Sequence, residues 1–222
     1  MSTKLIEVYK LHNVIYNHLE HSIPLPSDTS FGNMVLKWYD IVTRFDSLND
    51  YIIELDKTHT IVSTSATTPV EEILKSKLLG KEKFAIEQIF YWLRKTADEL
   101  ISLLYLIDYR FSSDEFPTKI KIDSIGTFLN SSDFHSEFLL KYNDLLTTLN
   151  DVTNAHKHSI TNSEVHSYHG RNEPIAFALS LNRNNSNNNP QFYNVVVNDF
   201  ISDYCDFLQE IKDLIASFDI EN

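Results

Sequence analysis

Between Glu82 and Tyr109, apolar residues recur at three- and four-residue steps through Ile86, Ile89, Phe90, Leu93, Ala97, Leu100, Ile101, Leu104 and Ile107. That spacing draws one face of an α-helix. Trp92, Leu103 and Leu106 widen the face beyond what a surface helix needs, so the helix is expected to be covered on more than one side. A helix of this kind constrains everything else, because other elements must pack around it. The chain has 4 glycines and 6 prolines in 222 residues, which favours long uninterrupted helices over a turn-rich β fold.

The remaining stripes supply those elements. Leu5, Val8, Tyr9, His12, Ile15, Tyr16 and Leu19 describe a first helix that Pro24 and Pro26 end. Met34, Val35, Trp38, Ile41, Val42, Phe45, Leu48, Ile52 and Leu55 describe a second, and Thr58 to Thr67 reads as a loop. Thr68-Pro-Val-Glu71 has the form of a capping box with proline at the first helical position, opening a short helix that runs to Gly80. Lys119 to Asp123 alternates polar and apolar residues, as an edge strand would, and Ser124 to Asn130 reads as a turn of helix. Phe138, Tyr142, Leu145, Leu146, Leu149 and Val152 carry the next long helix, whose stripe extends to His156.

Beyond residue 172 the period changes from 3.6 to 2. Ile175, Phe177, Leu179 and Leu181 alternate with Ala176, Ala178, Ser180 and Asn182, and Tyr193, Val195 and Val197 answer them across the asparagine-rich loop from Arg183 to Pro190. Asn198 is placed to cap a last helix with the stripe Phe200, Ile201, Tyr204, Phe207, Leu208, Ile211, Leu214, Ile215 and Phe218. The fold class is mainly α: a multi-helix bundle in one domain over residues 1–222, with an antiparallel β-hairpin inserted at 172–198 before the last helix.

Charge narrows the function. A net charge of −12 argues against broad, sequence-independent nucleic-acid binding. From Asp199 to Asn222 there are seven acidic residues against Lys212 alone, whereas from Asn154 to Asn172 Glu164 faces Lys157 and Arg171. The lone Cys205 suits a reducing compartment and reads as a small apolar core residue. No apolar run is long enough to cross a bilayer, and the N-terminus has no signal-peptide core, so the expectation is a cytoplasmic protein without membrane contact.

Four of the nine histidines, His156, His158, His166 and His169, fall where helix gives way to strand. Imidazole titrates near neutral pH, binds transition metals and moves protons, so chemistry would sit here if anywhere. The four nitrogens would suffice for a metal site, although His156 and His158 converge only if the helix has already ended. Alternatively, His156 is a packed histidine closing an apolar stripe, and Lys157 and His158 complement the helix C-terminus. Arg94 and Asp98, four apart on the central helix, can form an ordinary surface ion pair; buried, they would be a polar constellation to relate to His156. No glycine-rich phosphate loop, nucleophile elbow, HExxH or EF-hand motif is present.

Asn150-Asp151-Val-Thr-Asn-Ala-His156, a polar pair followed by a histidine near a helix end, resembles the HEPN family of prokaryotic defence and toxin ribonucleases. That family carries an arginine, then Asn, Asp or His, then a histidine, with four to six residues between the arginine and the last histidine. Asn150 stands where the arginine would be. The resemblance spans about residues 84–158 plus the last helix. It implies a bundle in which His156 takes part in proton transfer on RNA, with Asn150 and Asp151 beside it.

The reading taken from the sequence is a cytoplasmic, bacterial-type helical protein that binds a protein partner or a second copy, without a cofactor. Its expected binding surface is Asn154, Lys157, His158, His166, His169 and Arg171. Its alternatives are a divergent HEPN-like ribonuclease or antiphage effector acting on RNA through His156, and a metal-binding protein through His156, His158, His166 and His169.

Overall fold

The computed structural model of the chain describes residues 5–6, 23–63, 69–131, 133–158, 173–181 and 190–218. The expected first helix beyond Ile6, the Thr68 cap and the loop from 182 to 189 lie outside these residues. The described elements are α1 (Met34–Ser63), α2 (Pro69–Ser113), α3 (Ile125–Leu129), α4 (Ser136–His158), β1 (Ile175–Ser180), β2 (Gln191–Val196) and α5 (Val197–Ala216). The fold is mainly helical, with a two-stranded antiparallel hairpin directly before the last helix.

α2 is the hub. Its stripe residues Ile89, Phe90, Leu93, Ala97, Leu100, Ile101, Leu104 and Ile107 are all fully buried. It packs against α1, α3, α4, α5 and β1. Each large aliphatic or aromatic side chain buried this way contributes about 1.5–3 kcal/mol. Trp38 of α1, Leu149 of α4 and Ile211 of α5 fill the same core.

Two helices run further than local propensity indicates. α1 continues to Ser63 instead of giving way to a loop at Thr58, because Thr58, His59 and Val62 extend the buried stripe of Leu55 by three- and four-residue steps. Tertiary burial outweighs the weak helix preference of threonine. α2 passes through Gly80 without a break, so the expected short helix and the central helix are one element of 45 residues.

Lys119 to Asp123 is not a strand. Ile120 and Ile122 pack against the core, and among the described residues no strand pairs with the segment. Ser124 caps α3 through a reciprocal bond pair with Thr127, and Asp98 of α2 accepts from the backbone N–H of Ile125 at 2.7 Å. The last helix starts two residues earlier than it would if Asn198 capped it: Val196 occupies the cap, with no side-chain hydrogen bond. Cys205 is half-buried, its sulfur 3.9 Å from the Leu5 carbonyl.

In the hairpin, Ile175 pairs with Val196, Phe177 with Asn194 and Leu179 with Phe192. Ala176, Ala178 and Tyr193 form its buried face, and β1 lies across the C-terminal half of α4.

Candidate functional site

Of the residues singled out in sequence, Asn150, Asp151, Asn154 and His156 lie on the C-terminal half of α4, beside the hairpin. α4 is continuous through His158. Residues two apart on a helix point about 200° apart, so His156 and His158 diverge. His158 and Lys157 are exposed, while His156 turns inward. His166, His169 and Arg171 lie outside the described residues. Among the described residues no group of three histidine, cysteine, aspartate or glutamate side chains is placed to hold a metal ion.

His156 is committed to the fold. Its Nε2 lies 3.0 Å from the Phe177 carbonyl of β1. A carbonyl only accepts, so Nε2 carries the hydrogen and Nδ1 holds the lone pair of the neutral ring. Nδ1 is buried and has no hydrogen-bond partner among the described residues. The ring stands edge-on to Phe90 of α2, with centroids 6.5 Å apart. Burial pushes the His156 pKa below the ordinary histidine value, against the raising effect of the Phe177 bond and the Glu87 charge.

Asn150, Asp151 and Asn154 belong to a polar chain that joins three elements. The Tyr193 hydroxyl of β2 donates to Asp151 Oδ2 at 2.5 Å. Asn150 donates to Asp151 Oδ1 at 3.2 Å, and Asn154 donates to Asn150 Oδ1 at 3.3 Å. Arg94 of α2 then donates from Nη1 to Asn154 Oδ1, and its Nε sits 3.8 Å from Asp98 Oδ2. Burial raises the Asp98 pKa, with the Ile125 N–H bond and the Arg94 charge acting the other way. Burial and the Asp151 bond also raise the Tyr193 pKa.

Arg94 and Asp98 are therefore not a surface pair. The Arg94 guanidinium is largely covered and reaches across to the stretch in which the HEPN motif would have its arginine. Tyr193 was legible in sequence only as one position of an alternating strand; nothing local marks its bond to a residue 42 positions away.

Elsewhere, two clefts of about 790 and 580 Å³ lie along α4 and α5, and both are bordered by Lys141, Glu210 and Asp213. Lys141 and the Tyr142 hydroxyl both bind Glu210 there. No helix is long and apolar enough to cross a membrane among the described residues. Comparison with family models, with curated proteins and with solved structures finds no match to this chain.

Proposed function

We propose that the protein works by binding a protein partner, as a cytoplasmic interaction or regulatory component, and not by catalysis. One observation carries this reading: His156 has its Nε2–H on the Phe177 carbonyl and its Nδ1 buried. A general base must reach the proton it takes, directly or through water. Here neither nitrogen faces solvent with a free lone pair. The side chains that a reaction would recruit instead tie α2, α4 and the hairpin together, with Lys157 and His158 exposed beside them.

The second reading is a divergent HEPN-like ribonuclease, and one contact favours it. Arg94 brings a guanidinium to Asn154 from the neighbouring helix, supplying the cation that Asn150 lacks. Incubating the purified protein with single-stranded RNA separates the two. The binding reading expects no cleavage. Cleavage by the wild type that disappears in a folded His156→Ala variant overturns it in favour of the ribonuclease.

A further inference from the structure

The hairpin has two edges, and the fold treats them differently. The Val197 N–H donates to the Pro174 carbonyl at 3.0 Å, continuing the strand register by one pair. Bonded and non-bonded pairs alternate along an antiparallel ladder. Ala176–Val195, Ala178–Tyr193 and Ser180–Gln191 are therefore the bonded pairs. Ile175, Phe177 and Leu179 on β1, and Phe192, Asn194 and Val196 on β2, point their N–H and C=O groups outward.

On β1 that outward edge is engaged, because the Phe177 carbonyl is the group that His156 binds. On β2 no hydrogen bond reaches the outward groups of Phe192 or Asn194, or the N–H of Val196, among the described residues. Phe192 is 56% exposed and stacks on Phe177 at 5.9 Å, leaving an apolar ring beside the open edge. Natural sheets commonly protect such an edge with lysine, proline or a bulge. From Gln191 to Val196 there is no charged residue and no proline.

We infer that the outer edge of β2 is a strand-addition site for an extended segment of another protein, uncharged along the strand and basic at its N-terminal end. This deepens the binding reading and rests on it. Main-chain bonds to Phe192, Asn194 and Val196 would give affinity, and Phe192 would select an apolar side chain at an alternate position. Charge sets the direction. β2 runs into α5, whose exposed Asp199 lies three residues past the strand, with exposed Asp203 one turn further along the helix. An antiparallel segment lays its N-terminus there, so lysine or arginine at that end meets carboxylates. A second copy is disfavoured by charge. Both copies would bring the same acidic charge to the edge beside Asp199 and Asp203.

The test uses the full chain and a synthetic peptide of alternating valine and threonine with a short lysine run at its N-terminus. Binding is followed by fluorescence anisotropy, and amide hydrogen exchange reports where it occurs. Protection should rise at Phe192, Asn194 and Val196, while Tyr193 and Val195, already in the ladder, should change little. Moving the lysines to the C-terminus, or replacing them with glutamates, should weaken binding by about tenfold or more.

Asn194→Pro removes an outward N–H that the hairpin does not use, so it should abolish binding with the fold intact. Asn194→Lys, which keeps the N–H but adds a charge to the edge, should weaken binding even if the proline variant fails to fold. Protection elsewhere, equal affinity for the glutamate peptide, or no binding overturns this inference. So does a free protein that is dimeric with those three amides already protected, which would make the occupant a second copy. RNA cleavage, by contrast, would remove the underlying reading itself.

Discussion

The Nε2 of His156 and the carbonyl of Phe177 lie 3.0 Å apart, bridging 21 residues of chain between the end of α4 and the outward edge of β1. This bond gives the histidine a mechanical role. A two-stranded hairpin is marginal by itself in water, and here it is tied at two points. His156 holds β1, and Asp151 holds β2 through Tyr193. The two tethers leave α4 five residues apart, so the hairpin is gripped across both strands by a single helix.

The Tyr193 tether makes a direct prediction. Tyr193→Phe keeps the ring packing and removes only the hydroxyl that donates to Asp151. Asp151 keeps the Asn150 bond and partial solvent contact, so the loss should be about 1–2 kcal/mol by urea unfolding. A double-mutant cycle with Asp151→Ala, which removes the acceptor, should give a favourable coupling of similar size. Zero coupling would mean that the tether carries no stability.

Core position is tested by Leu100. Its side chain is fully buried at the middle of α2, and Leu100→Ala should cost about 2–5 kcal/mol through lost transfer energy and a residual cavity. A loss below about 1 kcal/mol would contradict the placement of α2 at the centre.

Gly80 offers the opposite sign. It is exposed inside α2, its φ is not positive, and an added Cβ would meet nothing within 4 Å. Gly80→Ala should stabilise the protein by about 0.5–1 kcal/mol through helix propensity and a smaller unfolded-state entropy. Destabilisation would show that the helix is broken there in solution.

How much was legible beforehand follows from the range of each interaction. Trp38, Phe90, Leu93, Leu100, Leu104, Leu149 and Ile211, all on apolar stripes of the sequence, are each at most 1% exposed, because burial of a helix face is written locally every three or four residues. Single-residue propensity points to a loop from Thr58 and a break at Gly80, but the buried stripe of α1 continues through Thr58, His59 and Val62, and α2 runs unbroken through Gly80. The polar contacts were not legible. His59 binds the fully buried Glu82 at 2.8 Å over 23 residues, and Arg94 reaches Asn154 over 60. Such pairs leave no periodic trace, since either residue alone reads as an ordinary surface group. At the candidate site the apolar stripe that runs to His156 accounts for its place at the end of α4, but the direction of its ring depends on where the hairpin settles.

The direction of the His156 shift supplies the last prediction. In the unfolded chain the imidazole titrates near about 6.5, whereas in the fold burial holds its pKa lower, and His135 is lowered by burial in the same way. As pH falls below about 6.5, the unfolded chain takes up protons that the fold resists. Their contribution to stability is therefore fully present above that pH and is lost as pH falls toward the folded pKa. Asp98, raised by burial, works in the opposite direction but in the carboxylate range. The melting temperature should thus decline between about pH 7.5 and 5.5. His156→Gln, which keeps an N–H donor for the Phe177 carbonyl but cannot titrate, should flatten that decline, while His156→Ala should also lower stability at pH 7.5, where titration plays no part. Parallel wild-type and His156→Gln curves would show that the buried ring titrates as it does in water, and would remove the argument that its nitrogens are sealed within the fold.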